Sequence, residues 1–282
     1  MLATELISRL KAEGLYLDSR GLDEDLRIDG VTVRSGEVKS GCLFVCIRGL
    51  KLDGHNFAED AVKRGAGLLV VERFITLAVP QILVRNSRRA AAVAASLFHN
   101  DPWNGLVVVG VTGTNGKTTT TYITKAIMDA HGLPAGILGT NAYIWPGHRV
   151  QASHTTPEAE DIQEKLSQFA SSCCRAAIME VSSHAIDLAR VSAMEFDVVV
   201  FTNLSRDHLD FHGDMRSYFE TKFRFIKGIE EQKVKKGQVV VNSDDSYGRR
   251  IISWATSSIS ERLITYGLSD DAHVRPVSFS TD

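Results

Sequence analysis

Short apolar runs alternate with amphipathic stretches along most of the chain, a pattern typical of strands that alternate with helices. Strands are predicted at residues 29–33, 41–47, 68–71, 81–84, 106–112, 135–139, 175–181, 196–204 and 238–241. Helices are predicted at residues 1–13, 57–65, 87–99, 116–131, 157–171 and 215–228. Strands and helices in this order form mainly parallel sheets, so the predicted fold class is α/β.

One break in this alternation predicts a domain boundary. Asn100-Asp101-Pro102 follows an alanine-rich helix for which Ser87 is the predicted cap. Because the residue before a proline is disfavoured in a helix, the tripeptide ends that element. We therefore predict a small amino-terminal domain over residues 1–103 and a second α/β domain over residues 104–282.

The second domain begins with a candidate phosphate loop. An apolar run ends in Gly113-Thr114-Asn115-Gly116-Lys117-Thr118-Thr119, and a helical pattern follows. The amide groups of such a loop and the positive helix end suit a polyphosphate. Lys117 can reach the outer phosphates, and the Thr118 hydroxyl can bind Mg²⁺. Val111 stands where the common phosphate loop has its first glycine, so this is a variant form. The alternative is a glycine turn that binds no ligand.

Two more polar clusters follow apolar strands. The first is Glu180-Val-Ser-Ser-His184, and the second is the segment 203–213, which holds two aspartates and two histidines. Ligands gather at the carboxyl ends of parallel strands, so both clusters are expected beside the phosphate loop. Glu180 suits Mg²⁺, although a capping or ion-paired carboxylate is the alternative. The serines lack the nucleophile-elbow motif, which disfavours a serine hydrolase.

Composition narrows the function classes. The chain has 282 residues, 44% hydrophobic content and a net charge of −2, which favours neither nucleic acid nor membrane as a partner. No apolar run approaches the roughly 20 residues that cross a bilayer. The amino terminus carries acidic residues unlike a signal peptide, so a cytoplasmic protein is predicted. The four cysteines lack zinc-site spacing and are expected to be reduced.

Four motifs in this order resemble the Mur ligases. They are residues 112–119, Thr155-Thr156-Pro157, the 180–184 cluster with Arg190, and residues 203–213. Residues 41–45 and 53–57 are similar to the UDP-binding domain of the same family. The resemblance covers nearly the whole chain. It implies an amino-terminal UDP-binding domain followed by a Rossmann-like ATPase domain with a phosphate loop.

The resemblance also implies a role for each site residue. The residues that would bind ATP are Gly113, Thr114, Asn115, Gly116, Lys117, Thr118 and Thr119. Thr118 and Glu180 would bind one Mg²⁺, and His208 with Lys222 would bind a second. The lysine is carbamylated in the family, which supplies oxygen where an ammonium would repel the cation. Lys117, Lys222 and His208 would serve catalysis. The substrate-binding residues would be Ser35, His55, Thr155, Thr156, Ser182 and Arg190.

The implied reaction is an ATP-dependent ligation in peptidoglycan synthesis. ATP would phosphorylate the D-glutamate carboxylate of UDP-MurNAc-L-Ala-D-Glu, and a diamino acid, diaminopimelate or lysine, would attack the acyl phosphate. Family members continue into a carboxyl-terminal domain that binds this amino acid. We therefore expect this chain to be an incomplete, inactive fragment that self-associates through exposed sheet edges.

Two departures from the family pattern accompany the resemblance. Arg34-Ser35-Gly36 stands where the family usually has Asp-Ser-Arg, and Leu188 stands where it often has Gln. Two other functions remain open: a non-catalytic module that binds nucleotide or UDP precursor, and a relative of the folate-polyglutamate ligases. The latter share the Gly-Thr-Asn-Gly-Lys loop but usually have Gly-Ser after the lysine, where this chain has Thr118-Thr119.

Overall fold

The computed structural model describes residues 1–49 and 52–278, which form two compact units. The first unit contains Met1–Pro102, Glu158–Lys165 and Leu188–Met194. The second unit contains Trp103–Pro157, Leu166–Asp187 and the described residues from Glu195 onward. Each unit is built on one mostly parallel sheet, which confirms the predicted α/β class.

A five-stranded sheet lies at the centre of the first unit. Its strands are β1 (Tyr16–Arg20), β2 (Gly30–Thr32), β3 (Cys42–Val45), β4 (Leu68–Val71) and β5 (Gln81–Val84). Their order across the sheet is β1-β5-β4-β3-β2, and only β1 runs antiparallel to its neighbour.

Helices cover both faces of this sheet. They are α1 (Ala3–Ala12), α2 (Ala58–Lys63) and α3 (Ser87–Phe98). Leu43 and Val45 point into the core shared with α1 and α3, whereas Phe44 and Cys46 point into the core shared with α2. Since successive side chains on a strand face opposite ways, each apolar run fills two cores. Asn86, one residue before the predicted cap Ser87, is the residue that caps α3.

The second unit contains an eight-stranded sheet. Its strands are β6 (Val107–Thr112), β7 (Ala135–Leu138), β8 (Ala142–Trp145), β9 (His148–Gln151), β10 (Ala176–Glu180), β11 (Val198–Phe201), β12 (Gln238–Asn242) and β13 (Leu263–Tyr266). The order is β13-β12-β11-β6-β10-β7-β8-β9. The first six in this order are parallel, and β8 and β9 extend the sheet as an antiparallel hairpin.

Six helices follow along the described chain. They are α4 (Lys117–Ala130), α5 (Ala159–Ser171), α6 (Ser183–Asp187), α7 (Leu209–His212), α8 (Met215–Lys227) and α9 (Ser246–Ser258). Met128 of α4 packs against the core cluster that contains Val109 and Val111 of β6. The central position of β6, between β10 and β11, puts the connections after all three strands at one edge. That edge is where ligands bind in open parallel sheets.

The structure differs from the predicted elements mainly at their ends and in the polar segments. The predicted strands 41–47 and 196–204 are shorter than expected. Strands β1, β8, β9 and β13 and helices α6, α7 and α9 were not predicted. The hairpin β8–β9 was not predicted because β9 is exposed along its whole length. A strand without a buried face lacks the alternation of apolar and polar residues on which the prediction depends.

All four cysteines are unbridged in the described residues. Within the same residues, no helix is both long enough and apolar enough to cross a membrane.

Candidate functional site

The phosphate loop joins the central strand β6 to helix α4. Residues 113–116 lie between Thr112, which ends the strand, and Lys117, which begins the helix. Gly113 and Gly116 have φ angles of +145° and +82°. A Cβ atom at Gly113 would lie 2.0 Å from Thr202 Oγ1. Glycine is therefore required at position 113 by both backbone conformation and space.

Residues after β11 hold this loop in place. The Thr202 hydroxyl donates to Asn115 O at 2.7 Å, and Asn203 Nδ2 donates to the same oxygen at 3.1 Å. In return, the Asn115 amide donates to Asn203 Oδ1 at 3.0 Å. The Thr114 amide donates to Asn203 O at 2.9 Å. These contacts fix the loop without a ligand, and sequence reasoning had not assigned a role to Thr202.

Glu180 ends β10 beside the loop, as predicted. The residue is 1% exposed, and the Thr118 hydroxyl lies 2.9 Å from both carboxylate oxygens. Thr140, which follows β7, adds a backbone N–H bond of 2.9 Å and a hydroxyl bond of 3.0 Å. The two candidate Mg²⁺ ligands are thus in contact, and a third residue that the sequence analysis did not single out holds one of them.

Lys117 folds back onto its own loop. Its ammonium donates to Gly113 O at 3.0 Å and to Thr114 O at 2.7 Å. Burial lowers the pKa of Lys117, while the charges of Glu180 and Asp207 oppose that change. A phosphate anion in the cleft would offer this ammonium a stronger, charge-assisted partner than a carbonyl oxygen.

Lys222 is buried on α8 rather than exposed to solvent. The residue is 1% exposed, and its ammonium donates to Gly113 O at 3.0 Å and to Thr112 Oγ1 at 3.4 Å. It also lies 4.9 Å from the centre of the Tyr218 ring. Burial, with a smaller contribution from Lys117, lowers the pKa of Lys222 to about 7. The amine is therefore held close to the loop and is readily deprotonated.

Several histidine and aromatic rings pack together beside the phosphate loop. His208 has a φ of +53° and precedes α7, and its ring lies 5.0 Å from that of His184. His212 Nε2 lies 2.8 Å from Ser183 Oγ, and its ring packs 5.1 Å from Tyr218. Burial, followed by the charge of His184, lowers the pKa of His212, which favours the neutral ring.

The threonine and serine residues predicted for substrate binding meet beside Glu180. The Thr156 hydroxyl donates to Glu180 O at 2.7 Å and accepts the Ser182 amide proton at 3.0 Å. Ser182 Oγ in turn accepts from the Ala185 amide at 3.2 Å, at the start of α6. Thr155 Oγ1 lies 3.1 Å from Thr140 Oγ1. These contacts hold the turn before α5 against the end of β10.

The remaining predicted substrate residues belong to the first unit. Arg190 pairs with Glu158, and Ser35 begins a short 3₁₀ turn, where it is half-buried. The His55 side chain is fully buried: Nδ1 lies 2.6 Å from Asp53 Oδ1, and Nε2 accepts the Glu72 amide proton at 3.0 Å. Both ring nitrogens of His55 are thus occupied by the protein itself.

Most of the predicted residues in the second unit line one cleft of about 250 Å³. Its lining combines the phosphate loop with the ends of the neighbouring strands, namely Gly113, Thr114, Asn115, Gly116, Lys117, Thr118, Thr119, Thr140, Thr155, Glu180, Ser182, Ser183, His208, Tyr218 and Lys222. Thr140, Ser183 and Tyr218 are the additions to the predicted set. The signal that could have found Thr140 is its place directly after Gly139, at the end of a predicted strand.

Comparison with known proteins shows which family this chain is similar to. Residues 111–281 match the Mur ligase middle domain, and residues 27–101 match the Mur ligase family catalytic domain. A UDP-N-acetylmuramoyl-L-alanyl-D-glutamate--2,6-diaminopimelate ligase from Geobacter sulfurreducens is 44% identical over an alignment of 261 residues, and the match covers 90% of this chain and 50% of that protein. The chain spans about half the length of the curated relatives it matches.

Solved structures show the same fold. A structure of a ligase with the same name superimposes with a TM-score of 0.77 at 25% identity, over 90% of this chain and 52% of that one. The MurF ligase from Thermotoga maritima, solved in complex with ADP, superimposes with a TM-score of 0.54 at 21% identity, over 86% of this chain and 51% of that one.

Proposed function

Because the chain belongs to the Mur ligase family, we propose that it forms the nucleotide- and precursor-binding part of an ATP-dependent ligase of peptidoglycan synthesis. The ligase would add the third amino acid to UDP-MurNAc-L-Ala-D-Glu. ATP would phosphorylate the D-glutamate side-chain carboxylate, and the amine of the incoming amino acid would displace phosphate from that acyl phosphate. We propose 2,6-diaminopimelate as this amino acid, since the curated relatives are named for it.

The contact between Thr118 and Glu180 carries this proposal. It joins the first turn of α4 to the end of β10, and it lies beside a loop in which Gly113 and Gly116 both have positive φ angles. A nucleoside triphosphate bound there would contact the amino terminus of α4 and the ammonium of Lys117. Both would stabilise negative charge that develops on the transferring phosphoryl group.

The residues present fit Mg²⁺. Thr118 and Glu180 offer oxygen atoms that can bind the ion. Among the described residues, no group of three His, Cys, Asp or Glu side chains is arranged to hold a metal by itself. Mg²⁺ commonly takes one or two protein oxygens and completes its shell with phosphate and water. When bound, the ion would neutralise phosphate charge. The cleft therefore suits Mg²⁺ that arrives with its nucleotide.

A modified Lys222 would supply oxygen ligands for a second Mg²⁺ with His208. Carbamate forms when a neutral amine adds CO₂ and releases a proton. A buried amine whose pKa is lowered to about 7 is in large part neutral at physiological pH. Lys222 and His208 line the same cleft, which supports their proposed pairing.

The precursor would be bound by polar and charged side chains. We propose this role for Thr155, Thr156, Ser182, Ser35 and Arg190. His55 would stabilise the loop that contains Asp53 rather than bind the ligand. Its two ring nitrogens are hydrogen-bonded to the Asp53 carboxylate and the Glu72 amide. The separate family matches, 27–101 and 111–281, support a domain boundary near residue 103.

Calorimetric titration of the 282-residue chain tests the proposed function. We expect saturable binding of a non-hydrolysable ATP analogue with Mg²⁺, and binding of UDP-MurNAc-L-Ala-D-Glu. Lys117→Met should weaken nucleotide binding by about tenfold or more, since it removes a charge-assisted bond of roughly 1.5–3 kcal/mol. Lys125→Met on the same helix serves as the matched control and should retain wild-type affinity. Failure of the wild-type chain to bind either ligand would overturn the proposal.

A further inference from the structure

The Glu180 carboxylate is held from two directions. On one side is the hydroxyl of Thr118, the proposed Mg²⁺ ligand. On the other side is Thr140, which gives its backbone N–H to Oε1 at 2.9 Å and its hydroxyl to Oε2 at 3.0 Å. A carboxylate has about four acceptor positions, so these three donors leave about one for a metal ion. Thr140 thus contributes two of the three donors that define where the last position points.

The packing around Glu180 requires this close approach. A Cβ atom at Gly139 would lie 2.4 Å from Glu180 Oε1, so any other residue there would displace the carboxylate from its present position. The register explains why the two meet, because Leu138 of β7 pairs with Met179 of β10. The next residues, Gly139 after β7 and Glu180 at the end of β10, therefore lie side by side.

The Thr140 hydroxyl lies within hydrogen-bond distance of two acceptors, with Oγ1 3.0 Å from Glu180 Oε2 and 3.1 Å from Thr155 Oγ1. A hydroxyl has one proton, and a carboxylate is the stronger acceptor, so Thr140 donates to Glu180. Both hydrogen-bond donors of Thr140, its backbone N–H and its hydroxyl, are thus committed to the carboxylate.

We propose that Thr140 is a positioning residue that aims Glu180 at the metal beside the phosphate loop. The inference deepens the proposed function and rests on it for the identity of the metal.

Substitution of Thr140 separates positioning from structural support. Thr140→Val keeps the shape and the backbone N–H but loses the hydroxyl, whereas Thr140→Ser keeps the hydroxyl. Thr256→Val, at an exposed residue of α9 whose hydroxyl donates to Ile252 O, is the matched control. We would titrate Mg²⁺ into each 282-residue chain at fixed ADP and measure the Mg²⁺ concentration that gives half-maximal nucleotide binding.

Thr140→Val should raise that concentration by about tenfold or more, as is typical when a group that orients a metal ligand is lost. Thr140→Ser should restore it to within about twofold, and Thr256→Val should not change it. ADP binding measured without Mg²⁺ should be equal in all four chains. Equal Mg²⁺ dependence in Thr140→Val and the wild type would overturn the inference.

A wild-type chain that binds no ADP would instead refute the proposed function. Ligand-free crystal structures would then decide the positioning role. A Glu180 carboxylate that leaves Thr118 in Thr140→Val and stays in Thr140→Ser supports the inference. A carboxylate that keeps its place in Thr140→Val contradicts it.

Discussion

Replacement of Lys222 by methionine should remove a loss of unfolding free energy that the second unit suffers as the pH falls from 10.5 toward 7. The ammonium is 1% exposed, and both of its hydrogen-bond partners are neutral oxygens. Burial lowers its pKa from 10.5 to about 7. Methionine retains most of the stem and its packing but carries no charge. The substitution therefore isolates the free energy of burying this amine.

The sign of the effect follows from the two pKa values. Above pH 10.5 the amine is neutral in the folded and unfolded chain, and no penalty exists. As the pH falls from 10.5 toward 7, the unfolded chain binds a proton that the folded chain does not, so the folded state loses stability. Below pH 7 both states are protonated and the penalty stays constant, at about 5 kcal/mol for about 3.5 units at roughly 1.36 kcal/mol each.

Methionine also loses the two hydrogen bonds, which costs about 1 kcal/mol each at every pH. Lys222→Met should therefore be more stable than the wild type at pH 7. Its advantage should shrink by about 2 kcal/mol between pH 7 and pH 9, as the wild-type penalty is relieved.

Urea unfolding followed by tryptophan fluorescence measures this difference. All three tryptophans, Trp103, Trp145 and Trp254, lie in the second unit with Lys222, so the signal reports that unit. Buffers are kept free of CO₂ so that the lysine is not carbamylated. Lys227→Met removes an exposed charge from the same helix and should give a constant offset across the pH range. A constant offset for Lys222→Met as well would refute the reasoning.

Two glycine substitutions test the packing that shapes the site. Gly113→Ala should weaken nucleotide binding in calorimetry by about tenfold or more, because its Cβ would lie 2.0 Å from Thr202 Oγ1 at a φ of +145°. Gly105→Ala, before the same strand and with no atom within 4 Å of its Cβ, should bind as the wild type does; equal affinities in the two variants would contradict the first expectation. Gly136→Ala would place a Cβ 2.3 Å from the Phe169 ring and should lower the unfolding free energy of the second unit by roughly 1–3 kcal/mol in urea. No measurable loss would show that the core has room for a methyl group there.

Local pattern was sufficient to predict much of the second unit. The parallel strands are short runs of Val, Ile and Ala buried on both faces, and the phosphate loop and Glu180 follow directly from where those runs end. The edge hairpin could not be predicted in this way. Its second strand, His148–Gln151, has no buried face, and an exposed edge strand lacks the alternation that marks a half-buried one.

Tertiary register explains what sequence reasoning missed in the site. Thr140 belongs to no local motif, and it reaches Glu180 only because β7 and β10 end side by side. The burial of Lys222 could not be predicted for a different reason. Its helix position was known, but a lysine buried to 1% exposure is too rare to infer from spacing alone, and the carbonyl oxygen it contacts comes from a loop far away in sequence.

Anomalous diffraction from Mn²⁺ tests the central claim most directly. Crystals of the chain would be soaked with a non-hydrolysable ATP analogue and Mn²⁺, which replaces Mg²⁺ and scatters anomalously. The proposed function predicts a peak at about 2.0–2.3 Å from both Thr118 Oγ1 and one oxygen of Glu180, with the outer phosphates beside Lys117. A bound nucleotide whose metal peak lies away from Thr118 and Glu180, or the absence of nucleotide from the cleft at saturating concentration, would contradict it.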